Sequence, residues 1–220
     1  MIDIIIPTLG RPHKLQHVVD NVRLNTIREH IVVFAVEEDD LDSQQAGAAA
    51  GGVVVINTRS RSYAGAVNTA YHNTSSEWLF CGDDSLDFRY GWDETALSRY
   101  GDGRHGVIGI NDLNNPYSMA GTNSTIHLVH RKYLDEHGGV IDGGPGSFLY
   151  EGYNHYYVDT EFTDTAIMRG TFVPCLDSHV HHLHWASNSS VPFDETSAKN
   201  ESKIPEDERT YSSRRHLWSK

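Results

Sequence analysis

Two adjacent carboxylates, Asp83 and Asp84, follow a short apolar run, Trp78-Leu79-Phe80-Cys81, through a single glycine, Gly82. The run does not alternate with polar residues and reads as a buried strand. Neighbouring Asp side chains repel each other unless a cation or a hydrogen-bond donor lies between them. A divalent ion with a phosphate-bearing substrate would satisfy both. Gly-Asp-Asp-Ser is equally ordinary turn chemistry, so the other polar groups brought to the same place must separate the two readings.

Several such groups have suitable types and spacing. Thr8-Leu9-Gly10-Arg11 follows one apolar run, and Glu37-Glu38-Asp39-Asp40 follows another. His182 and His184 are two residues apart, so on a strand they share a face and can share or flank a metal ion. His179 and His181 would point the other way. Asp159 and Glu161 stand at the start of a helical pattern, where an acid caps the helix or, facing a ligand, acts as a general base. Arg11 and Arg61 follow strand ends and suit bidentate phosphate contacts. Asn68 lies on a helix that could bring it to the same rim.

The elements that must position these groups can be read in outline. Residues 2–6 are apolar except for Asp3, as in a strand buried on both faces. Pro12 suits a helix start, and Leu15, Val18, Val19 and Val22 form one helical face. Strands follow over 31–36 and 53–56, a Gly/Ala-rich loop or frayed helix over 43–52, and a helix over 62–71. This alternation predicts an α/β domain, Rossmann-like, with a mostly parallel central sheet flanked by helices. Ligands bind such sheets at the C-terminal edge of the strands. Thr8–Arg11, Glu37–Asp40 and Asp83-Asp84 all fall on that edge. Further strands are expected over 107–110, 126–129, 172–175 and 180–185, with helices over 92–100, 131–136 and 159–168. We divide the chain into a domain over 1–186 (a nucleotide-binding half, 1–84, and a second half, 85–186) and a polar tail over 187–220. The tail is expected either disordered or laid over the domain.

The totals narrow the function classes. A net charge of −12 argues against broad electrostatic binding to nucleic acid or anionic membrane. A local contact through Arg209, Arg214, Arg215, Tyr211 and Trp218 in the tail stays open, with a solvated tail preferred. No apolar stretch is long enough to span a membrane, and the N-terminus does not read as a signal peptide. Cys81 and Cys175 each sit in an apolar run and are expected as buried thiols in a reducing compartment, the cytoplasm (of a host cell, for a viral protein).

Taken in order, these residues resemble the family-2-like glycosyltransferases of the GT-A fold. The resemblance rests on Asp3-Ile4-Ile5-Ile6-Pro7-Thr8 with Arg11-Pro12, and on Glu37 at a strand end. It rests further on Ser62-Tyr63-Ala64-Gly65-Ala66-Val67-Asn68, on Asp83-Asp84 and on Tyr90-Gly91-Trp92. His130-Arg131 ahead of Gly138-Gly139, Asp159-Thr160-Glu161-Phe162 and the 182/184 histidine pair complete it over residues 1–186. It implies metal-dependent, inverting transfer of a sugar from a nucleotide diphosphate sugar, UDP-linked by preference, to an acceptor hydroxyl. The acceptor classes it admits include a glycan or a hydroxylated base in phage DNA. By the resemblance, Pro7, Thr8, Arg11, Glu37, Arg61, Gly65, Asn68 and Asp83 line the donor pocket. Asp84 with His184 or His182 holds Mn²⁺ or Mg²⁺, and Asp159, or else Glu161, deprotonates the acceptor. Gly-Asp-Asp replaces the family's Asp-x-Asp, and Val158-Asp159 replaces its Glu-Asp pair, so either Asp can hold the ion and either acid can be the base. The alternatives are a nucleotide-sugar-binding module without turnover and a nucleotidyltransferase of similar fold. The phosphate loop after the first strand is thin for the latter, and no third ligand is spaced for a zinc hydrolase.

Overall fold

The apolar run at the N-terminus becomes the central strand of the first half of the chain, β1 (Ile2–Thr8), in this computed structural model, which describes residues 1–101, 106–183 and 193–218. Asp3, its one polar interruption, is buried and accepts from the Ser76 backbone N–H at 2.8 Å and hydroxyl at 2.7 Å. Helix α1 (Leu15–Asn25), β2 (His30–Val36), α2 (Leu41–Ala49), β3 (Val53–Ile56), α3 (Tyr63–His72) and β4 (Trp78–Cys81) follow. β2 and β4 flank β1, and all three pairings among β1–β4 are parallel. The strand ends carrying Thr8, Glu37 and Asp83 therefore share one rim, as their spacing predicts.

The second half comprises β5 (Leu86–Phe88), α4 (Trp92–Leu97), β6 (Val107–Asp112), α5 (Pro116–Met119), β7 (His127–His130), α6 (Arg131–His137), α7 (Val158–Met168) and β8 (Phe172–His182). One sheet runs through both halves in the order β3-β2-β1-β4-β7-β6-β8-β5. α1 packs Leu15, Val18, Val19 and Val22 on one face of it, and α3 packs Ala64, Val67 and Ala70 on the other. Both cysteines are buried free thiols. Among the described residues no helix is long and apolar enough to cross a membrane.

Two local expectations are corrected, and one element is new. The Gly/Ala-rich stretch is the ordered helix α2, because Asp40 caps it by accepting from the Ser43 N–H at 3.2 Å. The two strands expected over 172–175 and 180–185 are one strand, β8 (Phe172–His182), bulged opposite Ile110/Asn111, and residues 184–185 of that expectation lie outside the described residues. A strand not anticipated, β5 (Leu86–Phe88), pairs antiparallel with the end of β8, Leu86 opposite His182. That short pairing brings His182 beside Asp83. Phe88 is fixed by an aromatic cluster with Phe80 and Trp92, ring centroids 4.7–5.1 Å apart.

The tail is also unlike its composition. Helices α8 (Glu195–Glu201) and α9 (Ile204–Arg214) lie on the domain. Tyr211 stacks on Tyr157, its hydroxyl donates to Asp164 at 2.6 Å, and Trp218 donates to the Thr165 hydroxyl at 2.9 Å. The Arg214 guanidinium lies 3.6 Å from the Tyr150 ring centroid and pairs with Glu161 at 2.8 Å. Tyr211, Trp218 and Arg214 are thus engaged with the fold. Glu161 is 2% exposed, so Arg214→Ala would strand a buried carboxylate. We expect a loss of about 3 kcal/mol in equilibrium denaturation, with Arg214→Lys recovering only part of it.

Candidate active site

The two aspartates after β4 point to different partners. Gly82 makes this turn possible, since a Cβ there would collide with Leu86 and Phe80. Asp84 is buried and accepts from the Thr8 hydroxyl at 2.8 Å, Arg11 at 3.2 Å and Lys14 at 3.3 Å. Its charge is balanced by two cations inside the protein, and in this arrangement it holds Arg11 and Lys14 at the rim. Asp83 faces outward to His182, with Oδ2 2.8 Å from Nε2, and its other oxygen accepts from the Ser85 N–H at 2.7 Å. Asp112, at the end of β6, lies 3.9 Å from the other ring nitrogen of His182. Burial would discharge this pair. The attraction between them overcomes it, holding Asp83 well below the usual carboxylate range and pushing His182 up to about 9. His184 lies outside the described residues.

Asp159, in the first turn of α7, lies within reach of the charge of His182. Desolvation raises its pKa to about 6, against the pull of the Thr160 N–H and the positive charge of His182. Tyr63, at the start of α3, donates to the Gly82 carbonyl at 3.2 Å, and its hydroxyl feels the charges of both Asp83 and Asp159. The His155 ring meets Tyr63 edge-on at 6.0 Å. Burial lowers its pKa, while the charge of Asp83 raises it.

The remaining predicted residues divide. Pro7 and Thr8 end β1 at the rim. Glu37 stands at the end of β2 and accepts from the Asn57 amide at 2.8 Å. Arg61 is exposed and pairs with Asp39 at 2.8 Å. Asn68 does not reach the rim, because its amide is spent on the backbone of Leu149, at 2.8 and 2.9 Å, and on Glu151 at 2.9 Å. Gly65 serves packing, since any side chain there would strike the Ser60 carbonyl. Glu161 has both its oxygens occupied, by Tyr153 at 2.7 Å and by Arg214.

Sequence reasoning missed Lys14, Asp112, His155 and Asp194. Asp194 caps α8 and takes Arg11 in a fork, Nε at 2.8 Å and Nη2 at 2.7 Å. Of these only Asp194 carried a local signal, an Asp three residues before Ser197 at a helix start.

The donor set at the Asp83–His182 pair is one carboxylate and one imidazole within 2.8 Å of each other. Among the described residues no group of three His, Cys, Asp or Glu forms a closed metal cage. An open pair of this kind fits Mn²⁺ or Mg²⁺, which take one or two protein ligands and fill the remainder with water and substrate phosphate oxygens. Arg11 and Lys14 are held by the neighbouring Asp84.

No protein-family model and no curated protein matches the sequence. Solved structures match the fold. A mannosyltransferase from Pyrobaculum calidifontis, in complex with GDP-Man and Mn²⁺, superposes with a TM-score of 0.63 at 15% identity, covering 82% of this chain. The chain spans 56% of that enzyme's length. Glucosyl-3-phosphoglycerate synthase from Mycobacterium tuberculosis, in complex with Mn²⁺, UDP and phosphoglyceric acid, gives 0.61 at 12% identity, covering 93% of this chain and 76% of that one. The chain has the GT-A fold. At these identities the likeness is one of fold, and the GT-A chain's chemistry must be argued from its own residues.

Proposed function

We propose that this chain is a metal-dependent glycosyltransferase, moving a sugar from a nucleotide diphosphate sugar to an acceptor hydroxyl with inversion. The observation that carries this is Asp159, a carboxylate raised to about 6, within electrostatic reach of the His182 that pairs with Asp83. A general base works best with a pKa near the working pH. Asp159 accepts the proton of the acceptor hydroxyl as its oxygen attacks the anomeric carbon. The bond from that carbon to the diphosphate oxygen breaks, and its electron pair leaves with the nucleoside diphosphate. Arg11 and Lys14, held by Asp84, face the charge that develops there. A Mn²⁺ or Mg²⁺ ion on Asp83 and His182 would supply further neutralisation of that charge. Glu37, Pro7 and Thr8 line the nucleoside side, with uridine the preferred base. Both structural relatives above were solved with nucleotide and Mn²⁺, which supports the donor class.

The test needs no acceptor. UDP-glucose and GDP-mannose are incubated with Mn²⁺, and release of nucleoside diphosphate through hydrolysis by water is followed. Metal-dependent release from one of them supports the reading. Binding without release, across a broader donor panel, would favour a module that holds the nucleotide sugar without turning it over.

Arg11 gives a second expectation. Asp194 occupies the guanidinium edge that a diphosphate would take, so Asp194→Ala should tighten nucleoside diphosphate binding. The gain expected in calorimetry is about fivefold, the worth of one partly exposed charge pair.

A further inference from the structure

The C-terminal helix α9 carries a carboxylate that solvent does not reach. Asp207 is 0% exposed. Its two oxygens accept from the Asn154 N–H at 2.8 Å, the Asn154 side-chain amide at 2.9 Å, and the N–H groups of His155 and Tyr156, each at 2.9 Å. All four donors are neutral and lie in one loop. That loop runs directly into α7, whose first turn contains Asp159. Between them stands Tyr157, the one non-glycine with positive φ (65°) among the described residues. A left-handed tyrosine is strained and persists only where its surroundings impose it.

A buried charge is a costly way to dock a helix, and apolar side chains would do so with less desolvation. A carboxylate does what they cannot: it gathers successive backbone N–H groups onto one centre and fixes their directions. The other tail contacts have different targets. Arg214 and Trp218 reach the side chains of Glu161 and Thr165 in α7, and Tyr211 donates to Asp164 there while its ring stacks on Tyr157. Asp207 reaches the loop backbone ahead of it.

We propose that Asp207 is a positioning residue of the active site. It holds the 154–157 loop so that Tyr157 stays left-handed, His155 stays against Tyr63, and Asp159 enters α7 within reach of His182. The tail thereby completes the site from outside the sheet. The proposal rests on the glycosyltransferase reading for the identity of Asp159 as base.

The test uses the full chain with Asp207→Asn, which preserves shape but turns an NH₂ toward at least one N–H. Hydrolysis of UDP-glucose and GDP-mannose with Mn²⁺, UDP and GDP affinity, and amide hydrogen exchange over 154–157 are measured together. The expected result is a kcat loss on the order of a hundredfold, as for a misplaced catalytic group. Nucleoside diphosphate affinity should stay within about twofold, because Arg11, Lys14, Asp83 and His182 lie on other elements. Exchange over 154–157 should accelerate. Asp207→Glu, which keeps the charge but shifts it by one methylene, should retain an intermediate kcat, and this holds the test open if the Asn variant does not fold. Tyr211→Phe should lower stability and leave kcat unchanged. Loss of kcat and affinity in equal measure, or slow exchange over 154–157 in Asp207→Asn, would overturn the positioning role. A wild-type chain that hydrolyses no donor would instead remove the reading of Asp159 as base, and the exchange result alone would then decide whether Asp207 orders the loop.

Discussion

Asp159→Asn should abolish transfer while leaving donor binding intact. Removing a positioned general base typically costs 10²–10⁴ in rate, so the expected loss in kcat is about a thousandfold. Its pH dependence follows from the environment of the carboxyl. Desolvation raises Asp159 to about 6, so it is protonated and inactive as a base below that pH and competent above it. The rate of the wild-type chain should therefore rise with pH through an acid limb near 6, and the Asn variant should lose that limb. The same shift has a stability consequence with a definite sign. The folded pKa lies above the ordinary value of 3.8, so the folded state disfavours the charged form, and stability falls as pH rises from about 4 through 6. Asp159→Asn should thus melt higher than wild type at pH 7 to 8, although it is inactive. A variant both less active and less stable there would indicate a structural role.

The second large effect falls on metal binding. Asp83→Ala and His182→Ala should each weaken Mn²⁺ binding in the presence of nucleoside diphosphate by about a hundredfold or more, followed by the spin-resonance signal of free Mn²⁺. Asp84→Asn gives the contrast. Its carboxylate faces Thr8, Arg11 and Lys14, so this change should leave the metal dependence in place and weaken nucleotide affinity and fold stability instead. If Asp84→Asn removed Mn²⁺ binding and Asp83→Ala did not, the division of labour between the neighbouring carboxylates would be reversed.

These expectations show which parts of the site could be read from sequence. The strand ends at Thr8, Glu37 and Asp83 were legible because unalternating apolar runs broken by polar clusters specify parallel strands, and parallel strands put their ends on one rim. Asp159 was legible through its place at a helix start. The sorting of Asp83 from Asp84 was not, because it depends on Lys14 and Arg11 arriving from another loop. Nor was β5, three residues whose pairing with β8 exists only through contacts some ninety positions away. Asn68 and Gly65 look like ligand contacts by type, yet their close approach to Leu149 and Ser60 explains them. The tail's helices were the least legible. Its Ser, Asn, Glu and Lys content lacks an apolar core, but its helices are held by Asp194, Asp207, Tyr211 and Arg214, each with a partner distant in sequence. Polar docking of this kind leaves no periodic signature.

The central claim is that Asp83 and His182 form, with Arg11 and Lys14, a metal-linked diphosphate site. The most direct measurement is the melting temperature of the wild-type chain with each nucleoside diphosphate, in the presence and absence of Mn²⁺. Stabilisation follows mass action, so a ligand at about a hundred times its Kd adds about 2.7 kcal/mol. The account predicts that one diphosphate raises the melting temperature with Mn²⁺ and has little effect without it. Equal shifts with and without the metal, or no shift with any diphosphate, would contradict it.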